Sequence, residues 1–135
     1  MDQQPLIFSR TYDETLKMIV EARNYMAHME PRRQRRFSGI GELRLSCEAL
    51  RVTSRLTQVM AWLMLHRAVQ CGEISLQDAC QECHRLSGRD VCLDTSAVSE
   101  SNIPSGLRSL LERSYSLYQR VSRLEEMVLT RAFTN

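Results

Sequence analysis

Along the last third of the chain, small and apolar positions recur at steps of three and four: Leu107, Leu110, Ser114, Leu117, Val121, Leu124 and Val128. Such a stripe occupies one face of an α-helix, and Arg108, Glu112, Arg113, Arg120, Arg123 and Glu126 fall on the opposite, solvated face. The pattern predicts a helix over about 105–132, with Pro104 suited to its first turn. The same period runs through Tyr12, Leu16, Ile19, Ala22, Met26 and Met29. It predicts a first helix over about 10–30, opened by the hydroxyls of Ser9 or Thr11 and stopped by Pro31. Residues 32–38 then read as a connection.

The central stretch, about 41–71, carries two apolar stripes instead of one. Leu43, Cys47, Leu50, Ser54, Thr57, Ala61, Met64 and Ala68 form the first; Leu45, Ala49, Val52, Leu56, Val59, Met60 and Leu63 form the second. A helix apolar on two faces lies at the centre of a bundle or takes part in oligomerisation. Leu56, Val59, Met60, Trp62 and Leu63 are therefore the expected dimer or partner interface. Gly72 is placed to cap this helix in a left-handed conformation. Ser75 with Asp78 resembles a capping box, and opens a short helix over about 76–86. From Ser87 to Ile103 there is no period, which predicts an irregular loop of about sixteen residues. The expected fold is all-α, one domain over 1–135: an antiparallel three-helix bundle with one short helix and a long loop before the last helix.

Composition narrows the class. The chain is 43% hydrophobic but only 6% aromatic, and its 135 residues include 5 Gly and 3 Pro. That argues against a turn-rich β-sandwich and against disorder. The N-terminus lacks the basic and apolar regions of a signal peptide. The most apolar run, Val59 to Leu65, is far short of the ~20 residues of a membrane span. A cytoplasmic protein with reduced thiols is expected. The formal net charge of +2 resolves into uneven segments. Residues 1–30 carry three basic and five acidic groups, 31–72 eight and two, 73–103 two and six, and 104–135 five and three. Separate charged surfaces suit separate protein partners.

Two patterns offer chemistry. Cys80-Gln81-Glu82-Cys83-His84 has the spacing of a c-type haem attachment site, and with Cys71 or Cys92 the same residues form a partial zinc set. Covalent haem attachment normally takes place outside the cytoplasm, and the second tight pair of a structural zinc site is missing. Packing of small residues is the simpler account, and no cofactor is expected. The run Arg32, Arg33, Arg35, Arg36 provides a charged partner surface for phosphates or an acidic protein face. It has no interleaved aromatic rings for base stacking, so nucleic acid is not expected. His28 reads as a helix-end cap and His66 as a buried or interface histidine. Glu125 and Glu126, being adjacent, diverge around a helix. No Ser-His-Asp set, phosphate-binding Gly loop or acid pair on one face emerges, and no enzyme activity is expected.

Two stretches carry a family resemblance. Ser54 through Val69, followed by Gly72-Glu73, resembles the central helix of the regulator of CtrA degradation family. Ile103 through Ser114, and Tyr118 through Leu124, resemble that family's final helix. The resemblance implies a dimeric, non-enzymatic alphaproteobacterial adaptor. Such an adaptor brings CtrA-type response-regulator cargo to the ClpXP protease together with other adaptors. The alternative is a cytoplasmic zinc- or haem-binding helical protein centred on Cys80, Cys83 and His84.

Overall fold

The computed structural model describes residues 3–36, 40–96 and 102–134. Three long helices form the frame: α1 (Gln3–Arg36), α2 (Ile40–Gln70) and α5 (Ser105–Phe133). Two short ones, α3 (Leu76–Ala79) and α4 (Arg89–Cys92), lie between α2 and α5 with one 3-10 turn, Glu82–His84. The described residues contain no strand. None of their helices is long and apolar enough to cross a membrane.

The long helices pack pairwise, α2 against both α1 and α5, and α1 against α5. Phe8 near the start of α1 meets Trp62 and His66 near the end of α2, so those two helices run antiparallel. Glu14 pairs with Arg120 and Glu21 with Arg113, which makes α1 antiparallel to α5 as well. Of three helices two must share a direction, and here they are α2 and α5. A short turn cannot join parallel helices of this length. The chain from Cys71 to Pro104 is the return path, and that is why so long a connection exists.

The core is the inner face of each long helix. The second stripe of α2 is buried, with Val52 and Val59 at 0% exposure, and meets Leu107, Leu110, Leu117 and Val121 of α5. On α1 the buried face is rotated from the expected one. Phe8, Thr11, Thr15, Met18 and Ala22 point inward, while Leu16 is 41% exposed. The two threonines fit a core because each turns its hydroxyl onto a carbonyl one turn back. Thr11 Oγ1 donates to Ile7 at 2.8 Å and Thr15 Oγ1 to Thr11 at 2.7 Å, leaving the methyls for packing.

Local signals explain several boundaries. Gly72 adopts φ +76°, its N–H bonds the Val69 carbonyl at 3.0 Å, and the Glu73 N–H bonds that of Ala68 at 2.9 Å. This is a Schellman end to α2, available to glycine because a Cβ is disfavoured in the left-handed region. Ser75 Oγ accepts from the Asp78 N–H at 3.1 Å, capping α3.

Three expected boundaries are corrected. Helix α1 begins at Gln3 and passes through Pro31 to Arg36. Proline costs one backbone hydrogen bond there, but arginine and glutamine are good helix formers and the cations suit a helix C-terminus. The short helix expected to reach residue 86 ends at Ala79. Gln81 turns extended (ψ 151°), so that Leu86 reaches the core beyond the 3-10 turn. The loop from Ser87 to Ile103 contains α4 and is tied to the bundle; its residues 97–101 lie outside the described residues.

Candidate partner-binding surfaces

An irregular segment has no ladder for its backbone groups, so side chains must satisfy them. Segment 86–94 is held in this way by α2 and α5. Glu125 accepts the Leu86 N–H at 2.8 Å, and Gln58 Oε1 accepts both the N–H and hydroxyl of Ser87 at 3.0 Å. The Tyr118 hydroxyl donates to the Ser87 carbonyl at 3.0 Å. Arg51 Nη1 donates to the Val91 carbonyl at 2.5 Å, and Arg55 donates to the carbonyls of Cys92 (2.7 Å) and Asp94 (2.9 Å). Arg51 is also ion-paired with Glu48 at 3.0 Å and Asp94 at 3.5 Å. The segment therefore presents Asp90 and Val91, the latter 46% exposed, from an ordered frame.

Burial of these groups has electrostatic consequences. Burial raises the pKa of Glu125 and takes Tyr118 up to about 12. Burial, with Arg51 adding to it, lowers that of Arg55. Each of the three bonds a backbone group of the connection. They serve the backbone.

The outer face of α2 is different. Leu43, Leu50 and Met64 are 64%, 65% and 56% exposed, and Cys47, Thr57 and Ala61 between them are exposed too. The first apolar stripe thus faces outward along most of the helix. The residues expected at an interface lie mainly on the other side: Leu56, Val59, Trp62 and Leu63 are at most 4% exposed and Met60 is half-buried. Leu56, Val59, Trp62 and Leu63 are corrected to core, because α1 and α5 cover that face within a single chain.

Other expected residues are dispersed. Cys80 is buried, and burial pushes its thiol pKa up, whereas Cys71, Cys83 and His84 are exposed. Among the described residues no group of three His, Cys, Asp or Glu side chains that could hold a metal ion converges, so the zinc set is not assembled. His28 Nδ1 donates to the Asn24 carbonyl at 2.9 Å within α1, about two turns before the helix ends. His66 is buried against Phe8 and Trp62. Arg32, Arg33, Arg35 and Arg36 fall on the last turns of α1, and their side chains lie outside the described residues. The open grooves among the described residues include one of about 220 Å³ between Tyr12 and Arg67 and another of about 280 Å³ between Trp62 and Arg85. Cys83 and His84 line the second, but both are exposed to solvent and neither is held against the other.

Sequence reasoning missed the polar residues that fasten the connection. Their signal was there in part: Arg55 falls three residues after Val52 and four before Val59, and Glu125 four after Val121 and three before Val128, so helical spacing places both charges on buried stripes.

Comparison with known proteins extends the picture. A search of curated proteins finds no match. The crystal structure of RcdA from Caulobacter crescentus CB15 is similar with a TM-score of 0.70 and 31% sequence identity, over 90% of this chain and 89% of that one. The family model described as "Protein of unknown function (DUF1465)" matches residues 2–135. By sequence and by fold, the chain belongs to this family, that of RcdA.

Proposed function

We propose that the protein is a non-enzymatic adaptor that brings CtrA-type response regulators to the ClpXP protease in the cytoplasm, acting as a homodimer alongside other adaptors. The observation that carries this reading is the likeness to RcdA over nine-tenths of both chains, which supports a proteolysis-regulator role at the level of the family. The physics required is tethering. A scaffold that holds cargo near an unfoldase raises its effective concentration without new chemistry. An ordered surface segment and an uncovered apolar helix face suit such a scaffold, and no catalytic constellation is found among the described residues. The arginines at the end of α1 are assigned as a second surface, for an acidic partner.

The test is proteolysis by purified ClpXP of a response-regulator cargo, with and without the protein and the accessory adaptors. Faster loss of cargo, dependent on the added protein, is expected. An unchanged rate with folded protein and every accessory factor present overturns the reading.

A further inference from the structure

The ion pairs between α1 and α5 set a register. Glu21 pairs with Arg113 and Glu14 with Arg120, so seven residues along α1 match seven along α5 in the opposite direction. One more step of seven brings Ile7 level with Met127, and these are 39% and 59% exposed. Outside this inner seam runs a second row at the same interval. Lys17 and Ser116 line the groove of about 460 Å³ between the two ion pairs. One step of seven further along come Arg10 on α1 and Arg123 on α5. Residues seven apart share a helix face, so Arg10, Lys17 and Arg123 stand on the rim of one groove. All three are exposed, and none has an ion-pair or hydrogen-bond partner for its side chain among the described residues. Together the two rows hold five cations and two carboxylates. Glu126 borders Met127 from the far side of α5.

We propose that the α1–α5 groove docks an acidic helix of a partner protein, laid along the bundle as a fourth helix. The rim decides the sign. An acidic side chain meets Arg10, Lys17 and Arg123 without first breaking an ion pair, whereas a basic one meets unopposed like charge. The spacing decides the pattern. A seven-residue step is about 10 Å of helix, so Lys17 and the Arg10–Arg123 level match acids seven residues apart on the partner. Ile7 and Met127 lie three and four residues beyond Arg10 and Arg123, and an apolar side chain at that offset covers them. The partner helix therefore carries one apolar residue, acids three or four positions away, and acids again seven beyond. A phosphate backbone fits less well. It brings no apolar group to Ile7 and Met127, and the lining residues include no aromatic ring to stack a base. Glu14 and Glu21 also oppose a continuous line of negative charge. The docking uses neither the outer face of α2 nor the arginines that end α1.

The test is fluorescence anisotropy of a labelled synthetic peptide with the full-length protein. The probe is a helix on an Ala/Gln frame, with one Leu and a Glu pair at each of the two acidic offsets. It is made with the Leu preceding and with the Leu following the Glu pairs, since the groove fixes their order and not the chain direction. One of the two is expected to bind, and to bind more weakly as salt is raised. Lys17→Glu combined with Arg123→Glu is expected to weaken binding by about tenfold or more. Both side chains are exposed and unpaired, so helicity and melting should not change. A peptide with Lys in place of every Glu should then bind the variant and not the native chain. Arg67→Glu, on the α1–α2 side, should leave the affinity of the acidic peptide unaltered. No binding of either peptide at about 1 mM overturns the proposal. So does equal binding of a peptide whose Glu residues are spread around the helix, or a loss with Arg67→Glu as large as that of the double variant. A single-stranded oligonucleotide that binds more tightly than the peptides makes the occupant a nucleic acid and overturns it too. If the double variant changes oligomeric state in sedimentation, the face belongs to a second copy and the proposal fails.

Discussion

Arg55, at the middle of α2, donates through Nη1 to the Leu111 carbonyl of α5 at 2.8 Å, although that carbonyl lies inside a helix. The same guanidinium reaches Ser114 Oγ at 3.2 Å and the carbonyls of Cys92 and Asp94, and it is fully buried. Its acceptors are neutral dipoles, so its charge is solvated by oxygen atoms of the return path and of α5. Removing it leaves several buried carbonyls short of a donor. Arg55→Ala is expected to cost about 2–4 kcal/mol in urea unfolding. Amide exchange should rise across 89–94 more than elsewhere. Arg55→Lys should recover little, since a single ammonium cannot fork to three carbonyls. A loss under about 0.5 kcal/mol, the range of an ordinary surface substitution, contradicts the role.

A second close fit joins α5 to α1. Gly106 lies so near Tyr25 that an added Cβ would stand 2.4 Å from Cε2 of the ring. Alanine is normally preferred to glycine in a helix by about 1 kcal/mol. Here the clash should win, and Gly106→Ala is expected to destabilise by about 1–3 kcal/mol. In a Tyr25→Ala background the same change should become neutral or stabilising. A double-mutant cycle in thermal melts measures this, and an equal cost in both backgrounds refutes it.

Glu125 accepts the Leu86 N–H at 2.8 Å from a buried position, and burial holds its pKa above the ordinary 4.5. An acid raised in the folded state opposes folding when ionised. Its penalty is absent below pH 4.5 and complete above the raised value. Glu125→Gln keeps an oxygen acceptor for Leu86 and removes the buried charge. It is expected to stabilise the protein by on the order of 1 kcal/mol at neutral pH, with the gain vanishing as pH falls below 4.5. Urea titrations at several pH values check the sign. Destabilisation at pH 7 means that the fold needs the charge itself and contradicts the expectation.

The frame of this molecule was legible because a three-to-four step is imposed by helix geometry wherever a face is buried. Leu107, Leu110, Leu117 and Val121 were read as one side of a helix and are all within 1% of full burial. Local chemistry was legible where it is self-contained, as at Gly72 and Ser75. What periodicity cannot say is which of two apolar faces turns inward. Leu56 and Leu50 lie about 120° apart around α2, and only the positions of α1 and α5 make the first core and the second surface. Pro31 misled for a related reason: a penalty of a few kcal/mol is local, and a long helix with a basic end can absorb it. Arg55 was out of reach, since its acceptors come from residues 37 to 59 positions away and become visible once the return path is traced.

His66 gives the molecule a pH dependence of the opposite sense. Its ring lies 4.2 Å from that of Trp62 and 6.2 Å from that of Phe8, at 4% exposure, and burial lowers its pKa from 6.5 to about 4. The folded protein refuses a proton that the unfolded chain accepts below pH 6.5. Stability from this group is therefore complete above pH 6.5 and declines as pH falls toward 4. The slope approaches about 1.4 kcal/mol per unit at most, and on the order of 2–3 kcal/mol is lost across the window. Glu125 acts in the other direction over part of the same range, so wild type alone does not isolate either group. The informative quantity is the difference in unfolding free energy between wild type and His66→Met. Wild type should fall progressively relative to the variant from pH 6.5 to 4, whatever methionine costs at neutral pH. Two parallel curves through that window exclude His66 as the group responsible.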